Sequence, residues 1–287
     1  MKTALVGTGR LGASLARALP RRLFDVTVLY DRNPAAARRC RRRLGRGRVV
    51  SSSARAAALA DLILICVPDA AVAAVARELA AAPLGWKGKI VLHTSGALSS
   101  RELAPLKRAG ADVGSVHPAQ SFAGPDTPPA RFRGISFAVE GDARAVAAGK
   151  RLARGVGGRP FDVRAGDKAA YHAACSLASN MLVPLFAAAC AVLEGTGLGP
   201  RDAARVLLPL VRGTVENLEG LDRAGALTGP IARGDEETVG LHLDALKGRR
   251  READLYRRRG LRALELAEAN GLDRRMIRRL ARRLVKK

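Results

Sequence analysis

The sequence predicts an α/β chain: an N-terminal doubly wound parallel sheet over residues 1–165, followed by an all-α C-terminal domain over residues 166–287. Three observations predict it. Short apolar runs alternate with helical patterns through the first part, the signature of βαβ units. A glycine-rich turn joins the first apolar run to the first helical pattern. Beyond about residue 166 strand patterns stop and long helical segments take over. With 287 residues and 48% hydrophobic content, the chain can fill two cores of ordinary size.

The strands come in order. Thr3–Val6 and Asp25–Tyr30 are apolar runs on either side of the first helix. Pro34–Leu44 reads as a helix and Arg48–Val50 as a short strand. Asp61–Val67 is an apolar run closed by Pro68, as expected of a strand buried on both faces. Ala70–Ala82 is helical, Lys89–His93 a strand, Ser99–Ala109 helical and Ala111–Val116 a strand; Gly134–Val139 and Arg159–Val163 complete the set. Helices are expected over 166–195, 200–222, 235–246, 249–270 and 273–286, with Asn270-Gly271 as a stop. Ala169–Leu193 has no formal charge and is long enough to span a bilayer, but Tyr171, His172, Ser176, Ser179, Asn180 and Pro184 favour the buried central helix of a soluble domain or dimer.

Gly7-Thr8-Gly9-Arg10-Leu11-Gly12 follows the first strand directly. Gly7 permits the tight turn, Gly9 lets backbone approach a pyrophosphate, and Gly12 lets the helix pack on the strand. The helix N-terminus adds unpaired N–H groups and partial positive charge. The second strand ends at Asp31, nineteen residues after Gly12, where this Rossmann-type fingerprint expects an acidic residue. Asp31 suits a free ribose 2′-hydroxyl and the adjacent Arg32 a 2′-phosphate, so NAD and NADP both stay open on the residues alone.

Net charge is +24, from 50 basic and 26 acidic residues, densest at Arg38–Arg48 and Arg274–Lys287. Aromatics make up only 3% and no nucleic-acid module motif is present, so the expectation is salt-sensitive adhesion to polyanions and no specific nucleic-acid partner. Cys40, Cys66, Cys175 and Cys190 show neither C-x-x-C nor metal spacing, and read as thiols of a reducing cytoplasm. The histidine spacing suits no metal site.

Polar motifs gather at the carboxyl ends of strands, where a doubly wound sheet binds its ligand. Val67-Pro68 ends one strand, His93-Thr94-Ser95-Gly96 the next and His117-Pro118 the third. Histidine suits proton transfer near neutral pH, and Ser95 and Gly96 are placed to donate to a substrate carbonyl or carboxylate; alternatively the histidines tie strand ends to neighbouring loops. Lys168, His172, Cys175 and Ser179 fall within roughly 60° of arc on one helix face, with Asn180 beside them. Buried Lys, His and Asn side chains need partners or a ligand. Further on, Thr228-Gly229-Pro230-Ile231-Ala232-Arg233-Gly234-Asp235 is a compact polar loop. Asp235 is expected to cap the next helix with Thr238 nearby, leaving Thr228 and Arg233 for an acidic substrate. The ligand cleft is expected between the two domains.

On the stretches Val6–Gly12, Leu92–Leu98, His117-Pro118, Lys168–Ala174 and Thr228–Asp235, the chain resembles Rossmann-like oxidoreductases whose C-terminal half is a helical domain of unknown function. These are distant relatives of pyrroline-5-carboxylate, ketopantoate and 3-hydroxyisobutyrate-type reductases. The resemblance implies an NADP cofactor and a homodimer built on the helical domain; from the residues of the Ala169–Leu193 stretch no membrane association is expected. One departure stands out: the hydroxyisobutyrate- and ketopantoate-type enzymes carry a Lys with an Asn four residues on, whereas here His172 stands at that spacing and the Asn comes at Asn180.

The expected function is therefore hydride transfer between NAD(P) and a small anionic keto or imino compound, in the cytoplasm. Lys168 or His172 would manage the proton, His117 and Ser95 lie at the nicotinamide, and Asn180 and Arg233 orient the substrate. The alternative is a sensor or scaffold that binds the dinucleotide without turnover.

Overall fold

The structure is a computed structural model, and residues 1–285 are described; Lys286 and Lys287, the end of the last expected helix and basic stretch, lie outside them. Two compact units emerge, Met1–Ser179 and the part from Asn180 onward. The first helix after the sheet therefore belongs with the sheet, beyond the 165/166 boundary read from the sequence.

The first unit runs β1 (Lys2–Val6), α1 (Arg10–Ala18), β2 (Asp25–Tyr30), α2 (Pro34–Leu44), β3 (Arg48–Val49), α3 (Ser53–Ala58), β4 (Leu62–Ile65), α4 (Asp69–Ala81), β5 (Ile90–His93), α5 (Ala104–Arg108), β6 (Asp112–Pro118), β7 (Ser136–Gly141), α6 (Ala143–Gly155), β8 (Arg159–Asp162) and α7 (Lys168–Ala178). Among the described residues the strands form one eight-stranded sheet in the order β3-β2-β1-β4-β5-β6-β7-β8. The chain reverses direction of growth between β1 and β4, the place where doubly wound sheets open a ligand crevice.

The two-residue period of a strand divides the core. Leu5, Leu62, Leu64, Leu92 and Val116 point to the α1 and α6 face, while Ala4, Val6, Ile63, Ile65 and Val91 point to the α3, α4 and α5 face. β4 is buried along its whole length, as its unbroken apolar run predicts.

The expected all-parallel sheet needs one correction. β7 pairs antiparallel with β6, setting Ser115 opposite Glu140 and His117 opposite Ala138. No crossover helix lies between them, only a 3-10 turn at Pro129–Phe132, and without a crossover the next strand must return antiparallel. The outer strands are β3, two residues long, and β8, which carries Pro160.

The second unit contains α8 (Leu182–Glu194), α9 (Pro200–Gly220), α10 (Pro230–Arg233), α11 (Glu236–Ala245), α12 (Arg250–Ala269) and α13 (Arg274–Val285). Its core joins Val239 and Leu243 to Leu264, Leu280 and Leu284. Asp235 caps α11 as expected, accepting from Thr238 N–H at 2.9 Å and Thr238 Oγ1 at 2.7 Å.

Two expectations about the apolar stretch fail. The continuous 166–195 helix is broken into α7 and α8 by a turn at 179–181. Pro184 has no N–H for the Asn180 carbonyl and its ring crowds that oxygen, so the ladder stops there. Nor is the stretch buried: the apolar window within Ala165–Glu194 is 6% buried, with Leu177, Val183 and Leu185 exposed. By length and composition the Ala165–Glu194 run is long and apolar enough to cross a membrane, although the turn divides it into α7 and α8 of 11 and 13 residues.

Leu64 sits at the centre of the sheet with no exposed surface. Leu64→Ala is expected to lower the stability of the first unit by roughly 2–5 kcal/mol, read as an earlier urea midpoint at unchanged slope.

Candidate active site at the strand ends

The glycine loop is built as its spacing predicts. Gly7 adopts φ 96°, and its N–H donates to the Tyr30 carbonyl at 2.8 Å, tying the loop to β2. A Cβ on Gly12 would overlap the Gly7 carbonyl, so only glycine lets α1 start so close to β1. A Cβ on Gly9 would meet nothing within 4 Å, so this backbone is open. Gly9 caps α1 without any side-chain hydrogen bond, leaving the first N–H groups of the helix for an anion. Arg10 is exposed and Leu11 half-buried beside this opening, and Val67 lies against Gly7, followed by an exposed Pro68. These residues fit a dinucleotide pyrophosphate.

Asp31 has a structural task. Its Oδ2 accepts from Thr8 N–H at 2.7 Å and Thr8 Oγ1 at 2.8 Å, and its Oδ1 from Asn33 N–H at 2.8 Å. The carboxylate thus braces the loop that it was expected to serve from outside, while Arg32 is exposed.

A second cluster forms where β5 and β6 end. Lys168, the first residue of α7, is 1% exposed. Its Nζ donates to the Ser95 carbonyl at 2.8 Å and to Ser115 Oγ at 2.9 Å. Burial pushes its pKa down to about 8, opposed by the charges of Glu140 and Asp69. His93 is fully buried; its Nδ1 accepts from Ser95 N–H at 3.2 Å, which leaves the proton on Nε2, where no partner is found. Burial and then the Lys168 charge push the His93 pKa down to about 4. His117 Nδ1 pairs with Tyr171 Oη at 2.8 Å, and the His117 and His172 rings meet edge to face at 5.6 Å between centroids. Burial, then Lys168, push His117 down to about 3. Gly96 lies beneath both rings: a Cβ there would overlap His172 Cδ2 and come within 2.8 Å of His117 Nε2.

The structure thus brings Ser95, Gly96, His117, Lys168 and His172 together, on elements of one unit. Asn180, Thr228 and Arg233 belong to the second unit, where all three are exposed. Of the helix face read from the sequence, only Lys168 is buried, so α7 is not the most buried helix of the chain. Sequence reasoning missed Tyr171, Ser115 and Glu140. Glu140 had a visible signal: an acidic residue closing the apolar run Phe137-Ala138-Val139.

Both histidines favour the neutral form when folded, against an ordinary value of 6.5. The unfolded chain therefore binds more protons between about pH 6.5 and pH 3–4, and their contribution is complete above that window and lost as pH falls through it. Urea midpoints of wild type are expected to drop from pH 7 to pH 4, with a shallower drop in His117→Gln.

A Rossmann-like domain model matches residues 1–118, and the domain of unknown function DUF2520 matches residues 135–263. Protein TM1727 of Thermotoga maritima is 26% identical over 93% of this chain and 99% of its own, with a TM-score of 0.73. A reductive aminase from Aspergillus terreus, solved with NADPH and ethyl-5-oxohexanoate, is 19% identical over 99% of this chain and 92% of its own, at 0.64. A Plasmodium falciparum pyrroline carboxylate reductase with NADP bound is 15% identical over 98% of both chains, at 0.60. No curated protein matches the chain in sequence. The second domain model begins at β7, so it takes in Glu140, Lys168, Tyr171 and His172 along with the helices. The chain thus matches a Rossmann-like domain followed by DUF2520, the pairing that its own motifs resemble.

Proposed function

We propose that this protein is an NADP-dependent oxidoreductase that reduces the C=O or C=N bond of a small anionic compound, or runs the reverse oxidation. One observation carries the reading: an open glycine loop after β1 and a His117–Tyr171–His172 cluster after β5 and β6 stand on the same edge of one sheet. Doubly wound sheets bind dinucleotides along that edge. The solved neighbours that hold NADPH or NADP support the choice of cofactor. So does Asp31, which is turned onto Thr8 while Arg32 is free to meet a 2′-phosphate.

When bound, the cofactor supplies the hydride. The residues have the remaining tasks. The Thr8–Leu11 backbone receives the pyrophosphate, with Val67 and Pro68 at its side. Ser95 and Gly96 orient the substrate oxygen or nitrogen. His172 is placed to deliver the proton there, while His117, held neutral by burial and paired through Nδ1 with Tyr171 Oη, orients the reacting atom by a hydrogen bond at Nε2. Lys168 holds the Ser95 carbonyl and so fixes the loop.

Titration of the purified protein with NADPH and NADH tests the first part. NADPH is expected to bind at least tenfold tighter, and Arg32→Ala to remove most of that margin, about 1.4 kcal/mol per factor of ten; tighter NADH binding would overturn the cofactor assignment. NADPH oxidation across a panel of keto acids and cyclic imines tests the second. A His117→Ala, His172→Ala double variant is expected to lose roughly 10²-fold or more in kcat. Equal non-zero rates for wild type and the double variant would remove the two histidines from the chemistry, and no NADPH oxidation by wild type across the panel would leave a binding protein without turnover.

We further propose a homodimer formed through the second unit. Val183, Val206, Leu210, Val215 and Leu218 on α8 and α9 are exposed, Leu210 by 70%. An apolar cavity of about 470 Å³ lined by Leu185, Val192, Leu246 and Leu255 lies in the same unit. An apolar surface of this kind marks an interface, and a two-fold dimer covers the same patch on both copies. Light scattering is expected to give twice the 30.2 kDa chain mass for wild type and a smaller species for Val183→Glu, Leu210→Glu. A monomeric wild type at micromolar concentration would sink the dimer.

A further inference from the structure

We propose that Glu140 is a positioning residue of this site: acting through Ser115, it keeps the Lys168 side chain an ammonium and holds it against the Ser95 carbonyl. The assignment of the surrounding cluster as a reaction site rests on the function proposed above; the link from Glu140 to Lys168 rests on geometry alone.

Glu140 is 6% exposed, and three donors converge on it. Ser100 N–H and Ser100 Oγ each reach it at 2.7 Å, and so does Ser115 Oγ. A carboxylate that only accepts is the ionised form. Ser115 has a single hydroxyl proton, and Glu140 takes it. The serine oxygen must then accept from Lys168 Nζ, 2.9 Å away. With Glu140 as acceptor the bonds run one way: Lys168 donates, Ser115 accepts and passes on, Glu140 accepts. The remaining Lys168 bond, to the Ser95 carbonyl at 2.8 Å, places the charge on the loop that precedes Gly96.

The Lys168 end of this chain is the one that burial works against. An isolated buried ammonium gives up its proton sooner than it gives up water. The groups that face Lys168 come from four elements. Glu140 on β7 and Asp69 on α4 favour its charge, while His93 on β5 and His117 on β6 are held neutral partly by it. Asp69 is exposed at the start of α4, so its influence is screened, whereas Glu140 is buried and linked through one hydroxyl. Buried ion pairs are seldom the most stable filling of a core, which makes a positional role the more economical account of this one.

The test follows the Lys168 ammonium directly. The protein, without cofactor, is labelled with ¹³C-lysine and titrated by NMR from pH 6 to 11, with the Lys168 signal assigned by its loss in Lys168→Arg. In Glu140→Gln the midpoint of that signal is expected to fall by at least one pH unit, a tenfold loss of proton affinity. Glu140→Asp should restore part of it. In parallel, the pH at which kcat with NADPH falls by half on the alkaline side should move down by a similar amount, with KM for NADPH unchanged. An unchanged Lys168 midpoint in folded Glu140→Gln would overturn the proposal. If that variant does not fold, Ser115→Ala decides: a lower midpoint supports the link, and an unchanged one defeats it. Should wild type turn over no substrate, the oxidoreductase reading fails by itself, while the NMR midpoints still decide whether Glu140 controls Lys168.

Discussion

A lysine ammonium enclosed at the carboxyl end of a parallel sheet is the constraint around which the first unit is arranged. Lys168 cannot remain charged there unless a carboxylate answers it. That carboxylate arrives on β7, which together with β8 runs against the other strands, since β7 pairs antiparallel with β6 and sets Glu140 opposite Ser115. The loop through Ser95 is held by the same amine. Gly96 then has to be glycine, because two imidazoles occupy the space above it. The low proton affinities of His93 and His117 follow from burial beside that positive charge.

How much of this could be read from residues alone depends on whether the signal was local. The glycine loop is local: Gly7, Gly9 and Gly12 serve a turn, an open backbone and a close helix, all within six positions, so spacing suffices. The strands are likewise written in apolar runs, and Pro34–Leu44 runs between an Asn33 cap and a left-handed Gly45, as its sequence implies. The bonds of Asp31 to Thr8 were not legible because an acidic residue at that spacing can face either outward to a ribose or inward to Thr8, and spacing alone does not separate the two. Glu140 depended on register. Its partner Ser115 is 25 residues away on a strand whose direction is set by a missing crossover helix.

The helical part was legible in kind but not in environment. An uncharged run such as Ala169–Leu193 reads as buried because apolar surface in water is costly. It does not say which body covers it. Here the run is split at Asn180 by Pro184, and its second piece presents Val183 at 69% exposure. The positive charge is distributed differently: Arg278, Arg279 and Arg282 lie exposed along α13, whose Leu280 and Leu284 face the core of the second unit. This amphipathic arrangement accounts for many arginines as the wet side of a packed helix.

The edges of the sheet carry a last consequence. A β-sheet ends in unpaired N–H and C=O groups, and a neighbouring chain can extend it indefinitely. In this protein one border strand is two residues long, and the other offers Pro160, which has no hydrogen to give. Runaway strand-to-strand growth into fibres is blunted at both borders. A chain with so much exposed leucine and valine on its helices thus offers a neighbour side chains on those helices and little open backbone along its sheet.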